Sequence, residues 1–316
     1  MTESRSTGGN ALQHVVAADQ FSPELVAALF ARAQEMQAHL AGPARTELSG
    51  RIMATLFYEP STRTRLSFET AMLRLGGQVV STENARDFSS AIKGETLEDS
   101  VRIVGGYADC IVLRHPEEGA ARRASAVSPV PVINAGDGPG EHPTQALLDL
   151  YTIATELGRL DHIALVLVGD LANGRTVHSL SRLLAMYPGL RATLVAPERL
   201  RMSPALIGQL RASGARVEET TNLMAAVAEA DVVYQTRIQT ERLAEPWAAD
   251  EAERGRFRIT ETTMRALPAG AILMHPLPRV GEIDPAVDAD PRAAYFRQAR
   301  NGVPVRMALL STVLRT

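Results

Sequence analysis

From residue 51 onward the chain alternates short β-rich apolar runs with stretches of helical period, and this constrains its fold more than any other feature. Apolar runs each followed by a helix-length segment belong in parallel sheets covered by helices on both faces. The runs at 51–57, 109–113, 130–134, 163–168, 192–195, 232–235 and 271–274 read as strands. A first helix is predicted from Pro23 to about Leu40, N-capped by Ser22 and stopped at Gly42-Pro43; its stripe of Leu25, Leu29, Met36 and Leu40 is core packing. A helix over 143–157 begins where the first group of strands ends, so it is expected to link two domains. The segment 292–314 is helical in pattern, with a break expected at Asn301-Gly302 and Pro304, and is expected to return to the first domain. With 316 residues, 45% of them apolar, two cores of ordinary size can be filled. The fold class is therefore α/β, with two domains, each a parallel sheet flanked by helices, joined by two interdomain helices.

Composition removes several functions. A net charge of -3 and no basic tract interleaved with aromatics argue against nucleic acid as the partner. The longest purely apolar strand-like run, 163–168, is far short of a membrane span. Residues 1–10 are polar, with no apolar h-region, so a cytoplasmic protein with a frayed start is expected. Cys110 is the single cysteine and lies in the apolar stretch 108–113, which excludes a disulfide within the chain and suits a buried structural thiol. Of 33 basic residues, 32 are arginine and only Lys93 is lysine, which marks position 93 as one that needs an ammonium.

In open parallel sheets ligands gather beyond the carboxyl ends of the strands. Six loops there are chemically loaded: 59–65, 114–116, 137–145, 169–175, 237–239 and 275–279. The first, Glu59-Pro60-Ser61-Thr62-Arg63-Thr64-Arg65, carries the best case. Pro60 ends a strand, and a helical run with Leu66, Ala71, Leu73 and Leu75 follows. Free N–H groups at a helix start favour phosphate, and Arg63 adds a planar donor for bidentate binding. Two arginines in an opening helical turn oppose the dipole unless an anion is present. The loop therefore reads as a site for a small phosphate-bearing substrate, against the plainer reading of a Ser/Thr cap with solvated arginines. The run from Gly169 to Thr176 differs from a P-loop only by arginine for lysine, but Asp170 puts a negative charge where phosphates should lie. His115, His142 and His275 each precede a proline, yet no carboxylate or thiolate stands at ligand spacing, so no metal is expected.

Ser61-Thr62-Arg63-Thr64-Arg65 resembles the carbamoyl phosphate signature of the aspartate and ornithine carbamoyltransferases. His142-Pro143-Thr144-Gln145-Ala146-Leu147-Leu148-Asp149 resembles the family's His-Pro-x-Gln-x-x-x-Asp element, and Arg114 lies in a matching Leu-Arg-His stretch. Phe57-Tyr58-Glu59 and His275-Pro276-Leu277-Pro278-Arg279 are similar to the aspartate branch; the ornithine branch carries a His-Cys-Leu-Pro, and no cysteine stands there. The resemblance runs in register from the first helix to Ala308-Leu309-Leu310.

It implies a carbamoyl phosphate-binding domain of residues 1–142 plus 293–316, an aspartate-binding domain of residues 143–292, and homotrimers with active sites at subunit contacts. The implied reaction is attack of the aspartate amine on carbamoyl phosphate, an early step of pyrimidine synthesis, with no metal or organic cofactor. Ser61, Thr62, Arg63 and Thr64 would hold the phosphate with Arg114 as a further donor, Arg63 tightening as the leaving charge grows. His142, with Gln145 one turn later, would polarise the carbamoyl carbonyl, while Leu277 and Pro278 supply backbone carbonyls to its amide. Arg175, Arg237 and Gln239 are the implied carboxylate clamps. Ser89 and Lys93 match a loop that reaches into a neighbouring subunit's site, although Ile92 stands where relatives often have a second basic residue. The alternatives are a carbamoyltransferase for another amine such as ornithine, or a non-catalytic anion-binding relative. The sequence leaves open whether trimers join a regulatory chain or a dihydroorotase.

Overall fold

The computed structural model describes residues 12–43, 45–83, 85, 94–238 and 255–315. Residues 1–10, Ser89, Lys93 and Gln239 lie outside them.

The described strands form two sheets, both wholly parallel. The first contains β1 (Ile52–Phe57), β2 (Gln78–Glu83), β3 (Cys110–His115) and β4 (Val132–Asp137) in the order β2-β1-β3-β4. The second contains β5 (Ala164–Val168), β6 (Arg191–Val195), β7 (Arg216–Thr220), β8 (Val232–Gln235) and β9 (Ile272–Met274) in the order β7-β6-β5-β8-β9. Around the first sheet lie α1 (Pro23–His39), α2 (Thr62–Arg74), α3 (Leu97–Val104) and α4 (Ala120–Val127). After α5 (Pro143–Leu157), the second sheet is covered by α6 (Arg175–Leu184), α7 (Pro204–Ala212), α8 (Leu223–Val227) and α9 (Glu261–Ala266), and α10 (Tyr295–Leu314) ends the chain.

The seven apolar runs all became strands, but β2 and β7 were not foreseen. Both are edge strands, and their residues are largely exposed, so neither needs the apolar run that marks a strand buried on two faces. Cys110 is buried at the start of β3, and burial pushes its thiol up to about 12, which leaves it inert.

One continuous core joins the inner faces of both sheets. Met53 and Val112 of the first and Leu165 and Leu167 of the second connect through Leu147 and Leu150 on α5 and Leu309 and Leu310 on α10. The outer faces have their own clusters under α3 and α4 and under α8 and α9. α10 packs on α1, α2 and α5 and runs unbroken through Asn301, Gly302 and Pro304, so the expected break is absent. A proline in a helix interior costs about 3 kcal/mol. Here the following residues Val305, Ala308 and Leu309 are buried, and Asn301 Nδ2 donates to Thr152 Oγ1 at 2.9 Å, so tertiary packing overrides the local breaker.

The order of each sheet reverses once, beside β1 and β3 and beside β5 and β8. Chains leaving adjacent strands to opposite faces open a crevice at such a point.

Candidate active site

Both crevices open into a single cleft of about 570 Å³. From the first sheet's side it is lined by Ser61, Thr62, Arg63, Thr64, Arg114, His142 and Gln145, and from the second by Arg175, Arg237, Leu277 and Pro278. Every expected site residue among the described ones is thus brought together.

At the start of α2 the donors are left open. Ser61 occupies the N-cap position but its side chain makes no capping hydrogen bond. By contrast Ser22 caps α1 and Thr96 caps α3. The Arg63 guanidinium has no hydrogen-bond or ion-pair partner among the described residues, and burial pushes its pKa below the usual arginine value. Arg65 corrects the sequence reading. It turns away from the cleft to Glu83 at 2.8 Å, Ser81 at 3.2 Å and Glu69 at 3.5 Å. The unforeseen strand β2 carries Ser81 and Glu83 alongside it, so only Arg63 needs an external anion.

His142 is both helix cap and cleft residue. Its Nδ1 accepts the Gln145 N–H at 3.3 Å, which places the ring proton on Nε2 and makes Nε2 a donor. Burial, then the cations of Arg175, Arg114 and Arg306, hold its pKa well below 6.5, so the imidazole is neutral. Its own N–H donates to Ser179 Oγ at 3.2 Å, and Ser179 donates to Glu141 at 2.5 Å, which ties His142 to α6. Gln145 Nε2 donates to Asp149 at 2.8 Å, leaving its carbonyl oxygen as the acceptor end. Asp149 is fully buried and also accepts from Tyr234 at 2.7 Å and Gln298 at 2.6 Å. Burial pushes its carboxyl up to about 7 although these three donors pull it down.

Three features were not legible as functional. Glu59 Oε2 lies 3.5 Å from Arg114 Nε and 3.7 Å from Arg175 Nη1, and its charge lets guanidiniums from the two sides of the cleft stand close together. Gly136, at φ +114°, allows their approach, since a Cβ there would lie 2.9 Å from Arg175 Cζ and 3.2 Å from Arg114 Nη1. Arg306 lines the cleft, buried over the Phe68 ring at 4.8 Å, and burial pushes it down to about 10. The available signal was a lone charge inside the apolar stretch 303–310.

His115 turns to the Tyr58 ring, 4.8 Å away, instead of the cleft. In the P-loop-like turn Asp170 accepts from the Asn173 N–H at 2.9 Å, closing that loop on itself. Among the described residues no three His, Cys, Asp or Glu side chains are placed to hold a metal ion, and no helix is long and apolar enough to cross a membrane.

Two parallel sheets whose switch points face one cleft, with open donors on one wall and arginines on the other, define an enzyme site for two anionic ligands held side by side. Residues 13–155 match the model of the aspartate/ornithine carbamoyltransferase carbamoyl-P binding domain, and residues 161–313 match that of the Asp/Orn binding domain. The chloroplastic aspartate carbamoyltransferase of Arabidopsis thaliana is 56% identical over 96% of this chain and 78% of its own length. The aspartate carbamoyltransferase catalytic subunit of Methanothrix thermoacetophila is 49% identical over 96% of this chain and 98% of its own. The crystal structure of aspartate transcarbamoylase from Trypanosoma cruzi in complex with N-(phosphonacetyl)-L-aspartic acid superposes with a TM-score of 0.90, at 43% identity and 95% coverage of each chain. The chain belongs to the aspartate/ornithine carbamoyltransferase family.

Proposed function

We propose that the chain transfers the carbamoyl group of carbamoyl phosphate to the amine of L-aspartate, giving N-carbamoyl-L-aspartate and phosphate for pyrimidine synthesis. The observation that carries this is the single cleft with Arg63 and the uncapped start of α2 on one wall and Arg175 and Arg237 on the other. The phosphate docks on Ser61, Thr62, Arg63 and Thr64, and the aspartate carboxylates on Arg175 and Arg237. The amine nitrogen bonds to the carbonyl carbon, and the resulting oxyanion is stabilised by the Nε2–H of His142 with Thr64 and Arg114. The C–O bond to phosphate then breaks, the electron pair leaves with phosphate, and an amine proton goes with it. Arg63 meets the growing charge. Most of the catalysis is positioning of two anions against their repulsion.

Residues 1–142 plus 293–316 form the carbamoyl phosphate domain in this reading, which the packing of α10 on α1 and α2 supports. Ser89, Lys93 and Gln239 complete the site, the first two supplied by a neighbouring subunit of a homotrimer. An apolar surface at the edge of the first sheet supports such an assembly: Leu66 and Leu73 on α2 and Val80 on β2 are all exposed. Purified chain given carbamoyl phosphate with aspartate or with ornithine tests the substrate, and faster turnover of ornithine overturns it. Inactive Lys93→Ala and Arg63→Ala chains, dissociated and reassembled together, should regain activity; proven mixed trimers that stay inactive rule out shared sites.

A further inference from the structure

We propose that Glu282 is a positioning residue which, through His275, fixes the main-chain carbonyls that read the carbamoyl NH2 group; the inference rests on the carbamoyl-transfer reading above. Leu277 sits in the cleft wall at φ +56°, a left-handed conformation that side chains with a Cβ rarely adopt and that persists only where the surroundings hold it. What holds it is a short chain of hydrogen bonds. The Leu277 N–H donates to His275 Nδ1 at 2.8 Å, so the ring proton resides on Nε2, which donates to Glu282 Oε1 at 2.7 Å. The other carboxylate oxygen of Glu282 accepts the Val280 N–H at 2.8 Å. One side chain at the loop's exit therefore fixes both the turn and the imidazole at the loop's entrance.

The tautomer matters. With the proton on Nδ1 instead, two N–H groups would face each other at Leu277, and the left-handed turn would lose its anchor. A carboxylate opposite Nε2 selects the productive form. His275 is almost wholly buried, and its N–H donates to Gln298 Oε1 at 2.9 Å. Gln298 Nε2 donates to the Asp149 oxygen that also receives Gln145 Nε2. The Gln145 carbonyl oxygen and the loop carbonyls are thus oriented by one buried network. An NH2 group offers two donors, and this arrangement presents acceptors to it from both sides of the cleft.

Acetyl phosphate isolates the effect, because it shares the phosphate and the carbonyl and has a methyl group in place of NH2. It cannot use the loop carbonyls, so its binding should not sense where they point. The experiment measures, for the full-length protein and its Glu282→Gln and Glu282→Asp variants, the carbamoyl phosphate KM at saturating aspartate. It also measures competitive inhibition by acetyl phosphate and the rise in Tm caused by inorganic phosphate. Gln can accept from His275 but its NH2 opposes the Val280 N–H. The expected result is a KM for carbamoyl phosphate raised about tenfold in Glu282→Gln and less in Glu282→Asp. Acetyl phosphate inhibition and the phosphate-induced Tm rise should stay within about twofold of the parent. The proposal is overturned if KM and the acetyl phosphate constant rise together, if neither changes, or if both variants lose the phosphate response, which assigns Glu282 to folding alone. Failure of the parent protein to carbamoylate aspartate overturns the functional reading, independently of any variant.

Discussion

The loops after β1 and β9 line the same cleft from different sheets and are built in opposite ways. After β1 the donors that face the cleft at the start of α2 are uncommitted: Ser61 does not cap α2, and Arg63 has no hydrogen-bond or ion-pair partner among the described residues. After β9 His275 bonds through both ring nitrogens, and both carboxylate oxygens of Glu282 accept hydrogen bonds. In the proposed reading the difference follows from what each loop would bind. A charge-assisted bond to phosphate contributes about 1.5 to 3 kcal/mol and can offset the ordering of a loose donor. A neutral bond to an NH2 group contributes only about 0.5 to 1.5 kcal/mol, so its acceptors are useful only if already in place.

The sharpest way to break this contrast is to remove one open donor. Arg63→Ala should lower kcat by on the order of 10² to 10³ with the thermal midpoint little changed, since no side-chain hydrogen bond or ion pair among the described residues is lost. His142→Ala should show a similar kinetic loss but also destabilise the chain by about 1 kcal/mol, because His142 caps α5. Steady-state kinetics paired with urea unfolding separates the two; equal destabilisation would mean that Arg63 is structural after all. The His142 imidazole, held neutral by burial and three arginines, should show no titration near 6.5 in an NMR pH series. Its sign is that of a depressed pKa: the stability is present above 6.5 and lost as pH falls below it.

What the sequence disclosed follows the same division. Open donors must be polar residues in a loop after an apolar strand, so Ser61, Thr62, Arg63 and Thr64 could be read directly, whereas Arg114, which donates to the Ala135 carbonyl, was read from its matching Leu-Arg-His stretch. The committed network could not, because its members meet only through the fold: Asp149, Tyr234 and Gln298 come from α5, β8 and α10. Arg65 was misread for a related reason. Its partners lie on β2, an edge strand too polar to announce itself, so its charge looked uncompensated. Pro304 and Gly302 were misread because local propensity is silent about burial.

Asp149 is where the saturated network reaches Gln145, and its titration gives the next effect in size. With a carboxyl at about 7 in the folded chain against 3.8 ordinarily, the folded state retains a proton that the unfolded state has released between those values. Stability should therefore fall as pH rises through that window, by ~1 kcal/mol per pH unit from this group. Asp149→Asn cannot titrate, so subtracting its urea-unfolding stability from the parent's at pH 5, 6, 7 and 8 isolates the slope. Parallel curves would place the Asp149 pKa at an ordinary value and remove the proton from the network.

Arg65→Ala supplies the smallest effect and the control for the whole contrast. Its guanidinium is about one-fifth exposed, and Glu83 is 43% exposed, so solvent screens the pair. Losing it should cost no more than about 1 kcal/mol. Turnover should remain within about threefold of the parent, since a displaced surface pair leaves the α2 amides and Arg63 where they were. The neighbouring arginines of one signature would then differ by two orders of magnitude in their effect on rate. A kinetic loss in Arg65→Ala matching that of Arg63→Ala would mean that the guanidinium leaves Glu83 and Glu69 when phosphate docks. The first loop would then bind by rearranging its pairs, and its uncapped start would no longer set it apart from the loop after β9.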